Sequence, residues 1–281
     1  MIEGLDILQG IIEQGLVYSV IVAGIYISSR IINFDDLSVE GSFGIGGAIT
    51  AAVIMSGLSA WFGIFQALFA GAITGMCTGL LNTKLKLNNL ISGIVVTTAL
   101  FSVTLKVAGA NMPLSAKPTI FSDVPASLAA YKFLIVLIPI NLIVIYGIRW
   151  FLNTEIGFLI RAVGDNPQML TNVGKSTDFY KTLALMISNM FAALSGALFV
   201  QKVGYFSIWA NVGVLIISLA GLILSEAITK KFGLAIMLGA IAYQAIIAMT
   251  FELQIDPDWN KLVTAILIVM LILLKNRINK K

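Results

Sequence analysis

The chain of 281 residues contains no histidine and one cysteine. The first absence removes the commonest general base and the commonest metal ligand. The second, Cys77 within an apolar stretch, excludes an intrachain disulfide and a cysteine metal site. Charge is scarce too: 11% of residues are Asp, Glu, Lys or Arg, against about 25% in a soluble domain. The opening stretch MIEGLDILQGIIEQ carries Glu3, Asp6 and Glu13 but no Lys or Arg. The basic start of a cleaved secretion signal is therefore missing, and insertion is expected to rely on the first spanning helix. With no histidine and a lone cysteine, the nucleophile or metal constellation of a membrane enzyme is not expected.

A nucleotide-binding loop is also incomplete. Gly174, Lys175 and Ser176 match the second half of the Gly-four-residues-Gly-Lys-Ser/Thr pattern, but Met169 stands where the first glycine belongs. Without that glycine the backbone cannot easily turn its N–H groups around a phosphate. No cofactor is expected in this chain.

What the sequence has in abundance is apolar length. Hydrophobic residues make up 58% of it and the mean hydropathy is +0.96. A membrane-spanning helix needs about 20 mostly apolar residues. About nine apolar segments can be read, near 15–33, 42–57, 62–82, 90–108, 132–152, 182–201, 211–228, 232–250 and 261–274. The expected fold is an all-α polytopic membrane protein, a single transmembrane domain over 1–281. The second and last segments are short for a span and fit partial or re-entrant segments. With the KNRINKK tail inside and the segments alternating, Lys and Arg concentrate on the inner side. Only Lys106, Lys117, Lys132, Lys202 and Lys261 of the 18 fall outside. The positive-inside rule then places the N-terminus out and the C-terminus in. The net charge of +4 reads as topology, and no nucleic-acid partner is expected.

Two polar stretches face inward on this arrangement. One is NFDDLSVEGS at 33–42; the other is the long loop 153–181. In the second, Ile156, Leu159, Ile160, Val163, Met169, Leu170 and Val173 recur at spacings that suit short amphipathic helices. Asp165-Asn166-Pro167 reads as a helix start, with Gly174 as the stop of a short helix over about 166–173. Such a helix can dock a soluble partner or rest on lipid headgroups, and both readings fit the residues.

The stretch GFLIRAVGDNPQMLTNVGKSTDFYKTLALMISNMFAALSGALF resembles the inner loop and following span of ABC-importer permeases of the branched-chain amino-acid and ribose family. Gly157, Arg161, Ala162, Gly164, Asp165, Asn166 and Gly174 carry the resemblance. The front of the chain, EQGLVYSVIVAGIYISSRIINFDDLSVEGSF, is similar to the first span and inner-loop phrase of the single-permease branch for tryptophan, tyrosine and related compounds. Asp35, Asp36, Ser38, Glu40, Gly41 and Ser42 lie in that phrase. Ser225 before Glu226 and Lys175-Ser176 depart from the branch's pattern.

The resemblance implies a type II-like importer permease in a prokaryotic cell membrane. It pairs with a second copy as a homodimer, with a separate ATPase that binds ATP and Mg, and with an extracytoplasmic substrate-binding protein, all in contact with lipid. The loop 153–181 becomes the coupling loop to the ATPase. An aromatic or branched-chain amino acid is the implied solute; an ion-coupled secondary transporter is the alternative. Arg161 either pairs with acidic groups of the ATPase or caps its own helix, and Asp165 and Asn166 either cap the coupling helix or touch the partner. Polar residues inside apolar segments (Asn89, Thr97, Thr98 and Asn189) are the path candidates. Asn189 stands out because a buried amide in hydrocarbon must find partners. Asp35, Asp36 and Glu40 are expected to meet exposed N–H groups where the second segment begins. Glu226 is expected to pair with Lys230 one helical turn on. No charge is expected at mid-membrane depth.

Overall fold

The computed structural model describes residues 2–115, 117–229 and 232–252, with positions 259, 262, 263, 265, 266, 269 and 270. The ninth apolar segment, 261–274, lies largely outside the described residues. Among those described, eight helices are long and apolar enough to cross a membrane. The first, α1 (Ile2–Ile25), continues through a π-helical turn, Tyr26–Ile31. Then come α2 (Ser38–Met55), α3 (Ala60–Thr83), α4 (Asn89–Ala108) and α5 (Lys132–Leu152). Two short helices follow, α6 (Glu155–Asp165) and α7 (Pro167–Asn172). The last are α8 (Thr177–Val203), α9 (Val214–Ile228) and α10 (Phe232–Glu252). The first apolar segment was read from about 15, and the helix begins ahead of it, at Ile2.

The core is built on α8. Packing in a membrane gains little from burying apolar groups, since lipid is equally apolar, so close backbone approach carries much of the association. Glycines supply it here. A Cβ on Gly196 of α8 would run into the Phe43 carbonyl of α2; one on Gly46 of α2 would meet Ala193. On α3, Gly71 abuts the Asn189 carbonyl and Gly75 the Leu185 carbonyl, and Gly79 abuts Thr182. These contacts also rank heights along α8. Thr182 lies level with Gly79, Asn189 with Gly71, and Gly196 with Phe43.

That ranking places the start of α2. Ser38 and Ser42 both bond Asn189, which stands midway along the 27 residues of α8. The 18-residue α2 thus begins in the middle of the bundle rather than at its face. The short second segment is short because its first turn is buried in protein, where irregular backbone is tolerated. The span after α8 is interrupted as well. Residues Ile208–Asn211 form a 3₁₀ turn, Gly213 takes φ +93°, and α9 starts after it. The stretch 108–132 is irregular, with one strand, β1 (Asn111–Pro113), paired antiparallel to β2 (Tyr205–Ser207). This ribbon ties the end of α4 to the end of α8, at the opposite end of the bundle from α6 and α7.

Substituting Gly196 by Ala is expected to cost about 1–3 kcal/mol through overpacking and to lower the detergent unfolding temperature. Gly147→Ala in α5, where a new Cβ meets nothing within 4 Å, should leave it unchanged or raise it. Thermal unfolding of the two variants side by side is the check.

Candidate functional site

Three groups of residues were legible as candidates, and the structure sorts them differently. The loop 153–181 folds as two short helices that meet in an elbow at Asn166. Thr154 caps α6, its hydroxyl accepting from Gly157 N at 3.2 Å. Asn166 caps α7, its side-chain oxygen accepting from Met169 N at 3.2 Å, and Pro167 fills the first helical position. Such a proline loses nothing by lacking an N–H. Asp165 is the last residue of α6, so of the pair expected to cap the second helix only Asn166 does. Gly174, at φ +73°, turns the chain out of α7, and Ser176 caps α8 by accepting from Phe179 N. GKST is thus a helix stop followed by a helix start.

Glycines seat α6 against its neighbours. Gly157 lies against Phe151 and Leu152 at the end of α5, and a Cβ on Gly164 would overlap the Ile31 carbonyl of the π-helical turn. Asn33 donates to the Gly164 carbonyl at 3.1 Å. Ile160 and Val163 are buried beneath the helix while Ile156 and Phe158 face outward. On α7, Leu170 is buried and Met169 and Val173 are exposed. Ala162 is half-buried and packs against the core. The Arg161 guanidinium lies 5.9 Å from the Phe158 ring centre and, with Arg149, lines a cavity of about 720 Å³ between α1, α5, α6 and α10.

The phrase at 33–42 is a correction. It was expected as an inner-face loop, and much of it is inside the protein. Asp36 is 5% exposed. One of its oxygens accepts from Ser38 N at 2.8 Å and from the Ser38 hydroxyl; the other accepts from the Asn189 amide at 2.7 Å. Asn189 also donates to the Leu185 carbonyl at 3.0 Å, and its oxygen accepts from Ser42 at 2.6 Å and Ser38 at 3.2 Å. A carboxylate, an amide and two hydroxyls thus satisfy one another, as buried polar groups must. Asp35 is exposed. Gly41 packs against Thr97 and Leu100 of α4.

Glu40 reaches across the bundle, accepting from Gly213 N at 3.1 Å, where the interrupted span resumes as α9. Carboxylates are favoured at such helix N-termini. Asp36 and Glu40 therefore both sit near the midpoint of α8, which overturns the expectation of no charge at that depth. The signal that would have found them is the shortness of the second segment itself. A span that starts late carries its leading charges inward.

The other path candidates separate. Thr97 donates to the Leu37 carbonyl at 2.8 Å and lines a small cavity with Glu40 and Asn211. Thr98 bonds its own helix at the Ile94 carbonyl and is exposed. Asn89 accepts from Asn82 at 2.9 Å at the start of α4. Asn189 is wholly buried in its network. Lys230, the expected partner of Glu226, lies outside the described residues. Glu226 forms a two-pronged ion pair with Arg30 of the π-helical turn, the second contact at 3.2 Å. A larger cavity of about 530 Å³ opens between α1, α2, α9 and α10, walled by Gln14, Tyr18, Glu40, Gly213, Tyr243 and Gln244 among others.

Replacing Asn189 by Leu strands the buried Asp36 carboxylate and both serine hydroxyls. It is expected to cost about 3 kcal/mol, with a sharply lower yield and unfolding temperature. Asp36→Asn together with Asn189→Leu should recover part of the loss, since no buried charge then remains unpaired; thermal unfolding in detergent reads both.

Comparison with known proteins supplies a context for this geometry. Residues 7–272 match the family described as branched-chain amino acid transport system / permease component. The tyrosine transport system permease protein of Clostridioides difficile (strain R20291) is 34% identical over 267 residues, covering 92% of this chain and 88% of that protein. An uncharacterized protein of Rickettsia prowazekii (strain Madrid E) is 30% identical over 274 residues, 94% of this chain and 96% of its own. The galactofuranose transporter permease of Escherichia coli (strain K12) is 22% identical over 251 residues, 86% and 72% of the two chains. A chain in the solved structure of PsaBC from Streptococcus pneumoniae in complex with Fab shares the fold at a TM-score of 0.51. It is 11% identical, with 95% of this chain and 89% of that one covered.

Proposed function

The chain belongs to the branched-chain amino acid transport-system permease family, and on that premise we propose that it is the membrane-spanning subunit of an ABC importer, driven by a separate ATPase. The observation that carries this reading is the α6–α7 elbow. Its buried side is locked to the bundle by Gly157, Gly164 and Leu170, while Phe158, Met169 and Val173 stand exposed on its outer side. A rigid, partly apolar knob fits a groove on a soluble partner, and a partner that moves it moves α1 through Gly164 and Asn33. The residues matching the family's loop, from Gly157 to Gly174, do not share one task. Gly157 and Gly164 seat the helix, Asn166 and Gly174 delimit α7, and Arg161 stacks on the exposed Phe158.

The elbow faces the cytoplasm on this reading, with the N-terminus outside. ATP and Mg belong to the ATPase. An extracytoplasmic binding protein delivers the solute, two copies of the permease face each other, and the assembly sits in a prokaryotic cell membrane. An amino acid of aromatic or branched-chain type fits both the family and the tyrosine permease among the relatives. The second reading, an ion-driven carrier, gains from Asp36 and Glu40 at mid-depth, since such groups often mark ion pathways. Asp36, however, is committed to Ser38 and Asn189, which gives it a structural task already.

Purified from native membranes in mild detergent through a tag, the wild-type chain should bring down an ATPase with a complete phosphate loop, near one-to-one. Met169→Glu puts a charge on the outer side of the elbow without touching its caps. It should cut that recovery about tenfold while the unfolding temperature stays put. Recovery unchanged by Met169→Glu would remove the elbow from the interface, and a folded permease with no ATPase would favour ion-driven transport.

A further inference from the structure

The cavity of about 720 Å³ between α1, α5, α6 and α10 is graded from apolar to cationic. Along α5, Leu142, Ile145, Tyr146 and Arg149 recur at the spacing that puts them on one helix face, and all four line it. The apolar members come first, and Arg149 stands in the last turn. Arg161 of α6 borders the same space, as does Asn153 just past the end of α5. Opposite them, Leu234 and Met237 of α10 continue the apolar wall, and Gly233 lies against Ile145. Leu142, Tyr146 and Leu234 are exposed, so the cavity opens along its flank. The last turn of α5 also carries Trp150, exposed beside Arg149. Tryptophan and arginine at the end of a span settle at the headgroup level. The apolar wall therefore runs at acyl-chain depth and ends in two guanidinium groups at headgroup depth.

Among the described residues neither Arg149 nor Arg161 forms an ion pair. Arg161 has the Phe158 ring at 5.9 Å as its neighbour. The Tyr26 and Phe232 rings, 4.6 Å apart, line this cavity and also border Glu226, and Glu226 is held by Arg30. The residues that lead into Phe232, Lys230 and Lys231, lie outside the described residues and are both basic in sequence. Glu252 ends α10 about 30 Å from Phe232. Asp256 and Asp258 follow it in sequence, on a length of chain too short to return that far. The charge at this end of the cavity is thus left for a ligand to answer.

We propose that this cavity holds an acidic phospholipid from the leaflet on the elbow's side, its phosphate received by Arg149 and Arg161 and an acyl chain lying along Leu142, Ile145 and Met237. The planar guanidinium fork suits phosphate oxygens, and basic pockets between spanning helices take acidic headgroups. A free phosphate satisfies the same two groups but leaves the apolar wall uncovered, whereas a lipid covers both. Because Arg161 belongs to α6, the lipid also fastens the elbow to α5. The site requires only that the chain sits in a membrane, so it stands apart from the importer reading.

The test takes the full-length chain, stripped of lipid in mild detergent, and follows thermal unfolding. Three probes are titrated: phosphatidylglycerol, phosphatidylcholine with the same acyl chains, and inorganic phosphate. Phosphatidylglycerol should protect at a concentration about tenfold lower than phosphatidylcholine, and inorganic phosphate at that concentration should give no protection. Arg149→Gln combined with Arg161→Gln should abolish the preference. Lys175→Gln, which removes an exposed charge that does not line the cavity, should keep it. Lipid retained through purification, counted by native mass spectrometry, gives a second reading that does not depend on the variant's own stability. The wild type should keep phosphatidylglycerol, and the double variant should lose it. Equal protection by the two lipids, or a preference that survives the double variant, overturns the proposal. Protection by inorganic phosphate equal to that by phosphatidylglycerol marks a free-anion site and overturns the lipid. Recovery of the ATPase lost in Arg161→Gln, with the lipid preference intact, assigns that arginine to the partner and overturns it as well. None of these failures touches the importer reading, which stands or falls on the ATPase recovered with the wild type.

Discussion

The structure depends on how closely other backbones can approach α8. A bundle in hydrocarbon is not squeezed together by water, so its helices hold by contact and by hydrogen bonds. Along α8 the contacts come from small residues set against carbonyls: Gly71 and Gly75 of α3 on one side, Gly46 of α2 on another, and Gly196 from α8 itself against Phe43. With two main chains this near, side chains between them must be short or must bond. Ser38, Ser42 and Asn189 do both, and Asp36 completes the set. Asn189 therefore reads less as a wall of a conduit than as the pin that fixes where α2 starts.

That starting point has consequences for charge. Because α2 begins level with the middle of α8, the first two turns of the helix and the residues before it carry two carboxylates to a depth where a bare charge is costly. The fold handles each differently. Asp36 is enclosed and satisfied by neighbours. Glu40, one helical turn later, bridges to the N–H of Gly213, a position that exists only because the seventh span is interrupted there. The late start of α2 and the late start of α9 are thus one arrangement. Each broken element supplies what the other needs, an acceptor on one side and an unbonded N–H on the other.

Much of the helix order was legible because hydrophobic length is a local property. The fifth segment was read at 132–152 and α5 spans Lys132–Leu152; the Asn166-Pro167 start of α7 follows from chemistry confined to two residues. What escaped is what depends on distant parts of the chain. The 13 residues ahead of the first apolar run joined α1 although three of them are acidic, because Glu13 has Lys202 beside it and Gln9 bonds Glu13 at 2.8 Å. Glu226 also has a partner that no local pattern shows, Arg30, 196 residues distant. The phrase 33–42 looked polar and therefore peripheral. Its serines and Asp36 are polar because they bond one another at the centre of the bundle, which periodicity alone does not reveal.

The distant pairings also define a mechanical line. The π-helical turn at Tyr26–Ile31 widens the end of α1, and turns of this kind recur at functional positions. Its Ile31 carbonyl seats Gly164 of α6, the following Asn33 holds the Gly164 carbonyl, and its Arg30 holds Glu226 at the end of α9. One short turn therefore touches both the elbow and the helix whose other end begins at Gly213, beside Glu40. A displacement of α6 acts on α1 through this turn. The far end of the same α9 is where the cavity's carboxylate is anchored. The elbow and the mid-depth cavity are thus linked through the π-helical turn and α9, with a contact at each end of that helix.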